Sequence, residues 1–173
     1  MVVFQALTWE PRDTDEEHHV SIFGKTEDGK SVCVTTAFDP YFFIKLSFGT
    51  SQQTINEIYN IICNKCPECI TSYSMSKSKD VWGFQNNEEF YFMKINFKNL
   101  GTRRRVDSFL RRPLNLSSGS KFLKVYESNL DPVLRLMHRT GIQSTGWLDT
   151  GDKCVRSHLA KVDIDLWCND WTT

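Results

Sequence analysis

Hydrophobic positions along this 173-residue chain change period several times, and each change predicts an element. In VSIFGKTEDGKSVCVTT, residues 20–36, two short strand-like runs flank Asp28-Gly29, a dipeptide that favours a hairpin turn. Val32 and Val34 then share one face of the second run. AFDPYFFIKLSF adds a third strand after Pro40, over residues 41–48, rich in aromatic and branched side chains. The period then lengthens. Ile55, Ile58, Tyr59 and Ile62 fall at i, i+3, i+4 and i+7, one face of an amphipathic helix in TSQQTINEIYNIIC, with Thr50 and Gln53 at capping-box spacing. Pro67 cannot continue that helix and disfavours helical geometry at Cys66, so the helix is expected to fray into CNKCPEC.

The short period returns in DVWGF and FYFMKINF, with Tyr91, Met93, Ile95 and Phe97 on one face and Lys94 and Asn96 on the other. GTRRRVDSFLRRP reads as a short helix whose Val106, Phe109 and Leu110 turn inward. SSGSK marks a loop and KFLKVY another strand. DPVLRLMHRTG carries helix punctuation: Asp131 as N-cap, Pro132 at the first position and Gly141 past the end. Leu130, Val133, Leu134 and Met137 form its apolar stripe. The last strand, KVDIDLWC, alternates Val162, Ile164 and Leu166 inward with Asp163, Asp165 and Trp167 outward. There is no internal repeat and no low-complexity tract. The order predicts an α+β fold, mainly antiparallel sheet with two or three helices. It is read as one domain over 1–173, with a possible division into a β-hairpin region, 1–50, and an α+β region, 51–173.

Composition adds that a core is affordable without staples: 40% of residues are hydrophobic, including twelve Phe and five Trp. No run of about 18 apolar residues occurs, so no membrane span is expected. MVVFQALTWEPRDTDEEHH lacks a basic n-region, which argues against a signal peptide and for an intracellular, reducing compartment. The six cysteines are therefore expected as thiols or ligands rather than disulfides. Net charge is zero but uneven. Residues 10–17 are acidic, whereas residues 94–124 hold nine bases against Asp107 alone. A basic segment of this kind is a nucleic-acid footprint or a solvated, salt-bridged face.

Three groups carry candidate chemistry. Asp163 and Asp165 share a strand face and have the spacing to hold a divalent ion, but two-metal hydrolysis needs further carboxylates, and none follow. Cys63, Cys66 and Cys69 offer half a zinc ribbon or part of an iron–sulfur ligand set. A fourth ligand would come from Cys33, Cys154, Cys168 or one of His18, His19, His138 and His158. Reduced thiols at a helix end are the favoured reading, with no metal. The aromatic residues, Phe42, Tyr91 and Phe97 among them, read as core, with Trp82 and Phe84 around Gly83 as candidates for an exposed stacking ring.

Two segments, DVWGFQNNEEFYFMKINFKN and KVYESNLDPVLRLMHRTGIQSTGWL, resemble the N-terminal region of family B DNA polymerases, in the delta-like form of large nucleocytoplasmic DNA viruses. The opening hairpin, FDPYFFIKL and the order of all segments agree, so the resemblance covers almost the whole chain. It implies a domain that precedes the 3′–5′ proofreading exonuclease and the polymerase palm, fingers and thumb, braces the exonuclease domain and frames the template path. It also implies a fragment of a longer enzyme, because both carboxylate sets lie further along such chains. The parent would be a nucleotidyltransferase that uses Mg²⁺ and deoxynucleoside triphosphates at the site of viral DNA replication, in the nucleus or cytoplasm of the host. This chain alone would hold no cofactor and no catalytic residue.

Its partners would be template-strand DNA and the remaining polymerase domains. The expected contacts are Arg103, Arg104, Arg105, Arg111, Arg112 and Lys121 to phosphates, with Tyr126 and Asn129 near the template. The wording YESNLDP departs from that of archaeal relatives, so uracil sensing is not carried over. Two alternatives are a stand-alone single-stranded nucleic-acid-binding protein of similar fold and a small zinc protein using Cys63, Cys66 and Cys69.

Overall fold

The computed structural model describes residues 1–47, 49–80 and 88–169. Phe48, the run beyond Asp80 in DVWGF, and the stacking candidates Trp82 and Phe84 lie outside the described residues. In chain order the elements are β1 (Val3–Asp13), β2 (His18–Lys25), β3 (Ser31–Ala37), β4 (Tyr41–Leu46), α1 (Gln52–Lys65), β5 (Ile70–Lys79) and β6 (Glu89–Phe97). They continue as α2 (Leu100–Leu110), β7 (Leu114–Leu116), β8 (Gly119–Lys121), β9 (Lys124–Tyr126), α3 (Pro132–Thr140), β10 (Gly146–Asp149), β11 (Cys154–Arg156) and β12 (Ile164–Cys168). The α+β class, mostly antiparallel with three helices, is as the sequence predicts. None of the described helices is long and apolar enough to cross a membrane.

Two compact units share these elements: Met1–Phe38 with Leu130–Thr173, and Asp39–Asn129. The observed division therefore falls at Phe38 rather than after residue 50, because β4 pairs with strands that follow it in the chain.

The first unit is a six-stranded sheet in the order β10-β1-β2-β3-β12-β11. β2 and β3 form the expected hairpin, with Gly29 at φ 84° in its turn. β12 joins β3 in parallel, so it is an interior strand. Phe4, Ala6, Ile22, Val32, Val34, Leu148 and Leu166 build the core on one face. Gly24, opposite Ala6, marks the tightest approach: an added Cβ would lie 2.1 Å from the Gln5 carbonyl oxygen. β1 gives little sequence signal because only Phe4 and Ala6 of its eleven residues are buried.

α3 begins and ends as its punctuation predicts. Asp131 caps Val133 and Leu134 through one carboxylate oxygen, at 2.9 and 3.0 Å, and Gly141 closes the helix in the left-handed region. Its expected inward stripe is corrected, however. Pro132, Arg135 and Leu136 are buried, whereas Leu130 is 45% and Leu134 66% exposed.

The second unit runs β4-α1-β5-β6-α2-β9 around a four-stranded antiparallel sheet in the order β5-β6-β4-β9, with the β7-β8 hairpin beside it. This is the ferredoxin-like β-α-β-β-α-β arrangement. Phe42, Ile44 and Leu46 of β4 and Met93, Ile95 and Phe97 of β6 form one fully buried layer with Ile55, Ile58 and Ile62 of α1 and Val106 and Leu110 of α2. Both helices thus cover the same face of the sheet. Ser51 rather than Thr50 caps α1, accepting from the Thr54 amide at 3.2 Å. Tyr91, expected in the core, is 42% exposed because it sits near the outer end of β6. β5 carries no fully buried residue, which is why its polar alternation does not announce a strand.

The cysteines depart from expectation. Cys66 and Cys69 are joined across the end of α1, and Cys154 and Cys168 are joined across directly paired positions of β11 and β12. Cys33 and Cys63 remain as thiols. The strand register sets the second pair, since facing side chains on neighbouring strands lie close. We expect the chain, unfolded without reductant, to expose the two thiols of Cys33 and Cys63 to a colorimetric thiol reagent, and all six cysteines after reduction. Six thiols without reductant would remove both cross-links.

His19 is buried on β2, and burial lowers its pKa from the usual 6.5, only partly offset by the carboxylate of Glu17. The unfolded chain therefore binds a proton on this ring at a higher pH than the folded one does. Stability should be complete above pH 6.5 and fall as pH drops through and below that value. Urea unfolding across this range should show a flatter pH dependence for His19→Gln. An unchanged slope would exclude His19 as a source.

Candidate nucleic-acid interface

The basic segment is organised by α2. Asn99 caps the helix with a reciprocal box: the Thr102 amide donates to Asn99 Oδ1 at 2.8 Å, and the Asn99 amide donates to Thr102 Oγ1 at 3.4 Å. Leu100, Arg103, Val106 and Leu110 then recur on the side that packs inward. Arg103 is only 4% exposed. This corrects its expected role as a phosphate contact: the helix turns roughly 100° per residue, so adjacent arginines point in different directions. The signal was present, because Arg103 stands three residues before Val106, itself read as inward.

Arg104 and Arg105 turn outward. Arg105 Nη1 lies 4.0 Å from Cys66 Sγ. Arg111 clamps Asp107 one turn earlier, with Nη2 at 3.0 Å and Nε at 3.3 Å from the same carboxylate oxygen. Such an exposed pair contributes about 0.3–0.5 kcal/mol and leaves the guanidinium at the surface. Arg112 is exposed just beyond the helix, held by its amide on the Phe109 carbonyl. Lys121 Nζ donates to Ser47 Oγ at 2.9 Å.

Tyr126 is not brought to these arginines. Its strand register sets it across from Phe43, which alternates with the buried Phe42 and Ile44. Tyr126 therefore belongs to the sheet face away from α1 and α2. Its hydroxyl donates to Asp80 Oδ2 at 2.9 Å, and Lys45 Nζ reaches the same oxygen at 2.6 Å. The Asp80 side chain is 1% exposed. Asn129 is exposed at the end of the second unit.

A row of near-perpendicular rings crosses this face. Tyr41 and Phe43 lie 5.6 Å apart, Phe43 and Phe92 6.5 Å, and Phe92 and Tyr126 5.7 Å. Lys94 sits 4.0 Å from the Tyr41 ring and Lys124 4.9 Å from the Tyr126 ring. The Tyr126 hydroxyl also holds the Lys124 pKa above the ordinary lysine value. Phe43, Phe92, Lys45 and Asp80 are not among the candidates that the sequence offers. The period-two alternation in YFFIK and FYFMKIN separates Phe43 and Phe92 from the core residues beside them, whereas Asp80 carries no local signal.

The two aspartates of DID are employed locally. Asp163 Oδ2 accepts from the amide and hydroxyl of Ser31 at 2.8 and 2.7 Å, and these bonds lower its pKa. Asp165 Oδ2 accepts from the Ala160 amide at 2.9 Å. Among the described residues no three His, Cys, Asp or Glu side chains are grouped to hold a metal ion. Cys66 and Cys69 are bonded to each other, so the zinc-protein alternative is not favoured.

No family model matches the chain. It is 26% identical over 167 residues to a protein named DNA polymerase from Acanthamoeba polyphaga mimivirus, covering 83% of this chain and 10% of the relative. It is 29% identical over 175 residues to the DNA polymerase of Pyramimonas orientalis virus, covering 94% of this chain and 14% of the relative. The family B DNA polymerase of the hyperthermophilic archaeon Pyrobaculum calidifontis has the same fold over 99% of this chain and 20% of its own, with a TM-score of 0.72 and 16% identity. The chain is therefore homologous to DNA polymerases of large DNA viruses over most of its length, and its fold is that of part of a family B DNA polymerase. It spans 10% and 14% of the two viral relatives.

The burial of α2 separates its arginines experimentally. Arg103→Gln should destabilise the chain by about 1–3 kcal/mol, since a side chain packed into the buried side of α2 is replaced by a shorter one. Arg104→Gln and Arg112→Gln should each stay within about 0.5 kcal/mol. Urea unfolding measures all three, and equal effects would mean that Arg103 is not buried.

Proposed function

We propose that the chain acts as the N-terminal domain of a family B DNA polymerase, ahead of its proofreading and polymerising parts. The observation that carries this reading is homology to a viral DNA polymerase along 94% of the chain. In this reading the domain braces the rest of the enzyme and touches the template strand without reading its sequence. The exposed apolar side chains Leu130 and Leu134 suit a helix covered by another domain of the same protein. Arg104, Arg105, Arg111, Arg112 and Lys121 supply a positive surface suited to phosphates.

Nucleotidyl transfer with Mg²⁺, and 3′–5′ proofreading, would belong to the parent enzyme, with this chain alone catalytically silent. The place of action would be intracellular, at the site of viral DNA replication. A stand-alone single-strand-binding role is not favoured, because the relatives are named as polymerases over the matched region.

Two measurements test the reading. Primer extension by the purified chain with Mg²⁺ and all four nucleotides should not exceed a buffer control. Binding to single-stranded DNA should be weak, on the order of 10–100 μM at physiological salt, and should weaken steeply as salt rises. The triple variant Arg104→Gln, Arg105→Gln, Arg112→Gln should reduce the logarithmic salt slope by about 2, at roughly 0.7 per phosphate contact. An unchanged slope would mean that these side chains do not face the strand.

A further inference from the structure

Cys63, Cys66 and Cys69 lie where α1 hands over to β5, and they differ in exposure and in neighbours. Cys66 and Cys69 are joined to each other and are only 2% and 4% exposed. Cys63, one turn earlier, is a half-buried thiol. A thiol arriving from solvent therefore meets Cys63 before it meets the closed pair. Tyr59, one further turn back, shares a hydrogen bond with the Cys63 sulfur, and this raises the tyrosine pKa. Its ring packs 4.4 Å from that of Tyr73 on β5, which holds the hydroxyl beside the thiol.

The two joined sulfurs have opposite surroundings. Cys66 Sγ lies 4.0 Å from Arg105 Nη1, so a thiolate released there is stabilised by a guanidinium. Cys69 Sγ lies 3.3 Å from the Pro67 carbonyl oxygen, an acceptor that suits a protonated thiol. Each sulfur is thus provided for when its bond opens: a negative charge on Cys66, a proton on Cys69. Cys66 also stands between the other two in the chain. Residues three apart on a helix have Cβ atoms about 5–6 Å apart, whereas a disulfide needs about 3.5–4.5 Å. A bond from Cys63 to Cys66 therefore asks the last turn of α1 to give by about 1–2 Å. Cys66 can supply this, because as the C-cap it has already left helical geometry, at φ −137° and ψ 76°.

We propose that Cys63, Cys66 and Cys69 form a thiol–disulfide exchange site, in which Cys63 receives low-molecular-weight thiols and their disulfides, Cys66 passes the bond to the buried pair, and opening of that pair loosens β5. In the reducing direction the Cys63 thiolate attacks Cys66 Sγ. The Cys63–Cys66 bond forms, the Cys66–Cys69 bond breaks, and the proton that Cys63 gave up ends on Cys69. A small thiolate then attacks Cys63 Sγ and expels Cys66 as a thiolate beside Arg105. A second small thiolate displaces the first from Cys63. Two small thiols have then been oxidised to one disulfide, and Cys66–Cys69 has been reduced. The oxidising direction is the reverse, with the small disulfide as electron acceptor. β5 feels the change because it starts at Ile70, next to Cys69, stands at the edge of its sheet and has no fully buried residue. The closed pair ties its start to α1, with Glu68 between the sulfurs held at φ 58°. The site stands on the sulfurs and their neighbours and does not rest on the polymerase reading.

Oxidised glutathione, added to the fully reduced chain after the reductant is removed, gives the first test and needs no variant. Peptide mass spectrometry should find the glutathione adduct on Cys63 at short times, and the Cys66–Cys69 disulfide with Cys63 free at long times. In Cys69→Ser the relay should stop one step earlier, at a Cys63–Cys66 disulfide. Reduced glutathione on the oxidised chain gives the second test. Cys63→Ser should slow the opening of Cys66–Cys69 about 10- to 100-fold, because the buried pair loses its neighbouring nucleophile. Cys154–Cys168, which has no third cysteine at that spacing, should open at the wild-type rate in the same sample. Deuterium exchange at the β5 amides should be about 5- to 20-fold faster in the reduced chain. A first adduct on Cys66 or Cys69, wild-type opening of the pair in folded Cys63→Ser, or no Cys66–Cys69 bond after oxidised glutathione would overturn the exchange site. Equal β5 exchange in the two states would overturn its coupling to the strand.

Discussion

The second unit depends on one constraint: two adjacent strands, β4 and β6, must bury every other side chain beneath two helices. Phe42, Ile44, Met93, Ile95 and Phe97 are wholly withdrawn from water. Each such side chain contributes about 1.5–3 kcal/mol of burial free energy, so a slip of one residue in register would expose the whole set. The register is thereby fixed, and with it the opposite face. Phe43, Lys45, Phe92 and Lys94 have no freedom to be elsewhere once their neighbours are buried.

The same constraint sorts the arginines. α2 has to present Leu100, Val106 and Leu110 to the sheet, and Arg103 falls on that side of the helix by spacing alone. The neighbouring Arg104 and Arg105 are carried outward by the same rotation. A run of three identical residues thus has one structural member and two surface members. Charge counted along the chain overstates the charge available to a ligand, because the count ignores direction.

Electrostatics inside the second unit follow a similar rule. Asp80 is almost wholly withdrawn from solvent, and it is tolerable there because an ammonium and a phenol hydroxyl satisfy its oxygen. Losing Lys45 would strand a buried carboxylate, a much larger penalty than losing an exposed pair such as Arg111 with Asp107. Strength of attachment therefore follows burial rather than nominal charge.

Much was legible in the sequence. The β2–β3 hairpin, β4, α1, β6, α2, β9, α3 and β12 all have either a clear hydrophobic period or explicit punctuation, such as Asp131, Pro132 and Gly141. These signals are local, so a linear reading recovers them. The collinear motifs likewise pointed to a family B polymerase fold. β1, β5, β10 and β11 escaped because few or none of their side chains are fully buried, and they exist through hydrogen bonds to partners far away in sequence. The discontinuous first unit, the Cys154–Cys168 pairing and the buried Asp80 escaped for the same reason: each is a relation between distant residues. The sequence by itself determined which residues alternate and which helices begin where. Only the tertiary structure decided which face of each element is covered, because burial depends on what packs opposite, and that information is nowhere local in the chain.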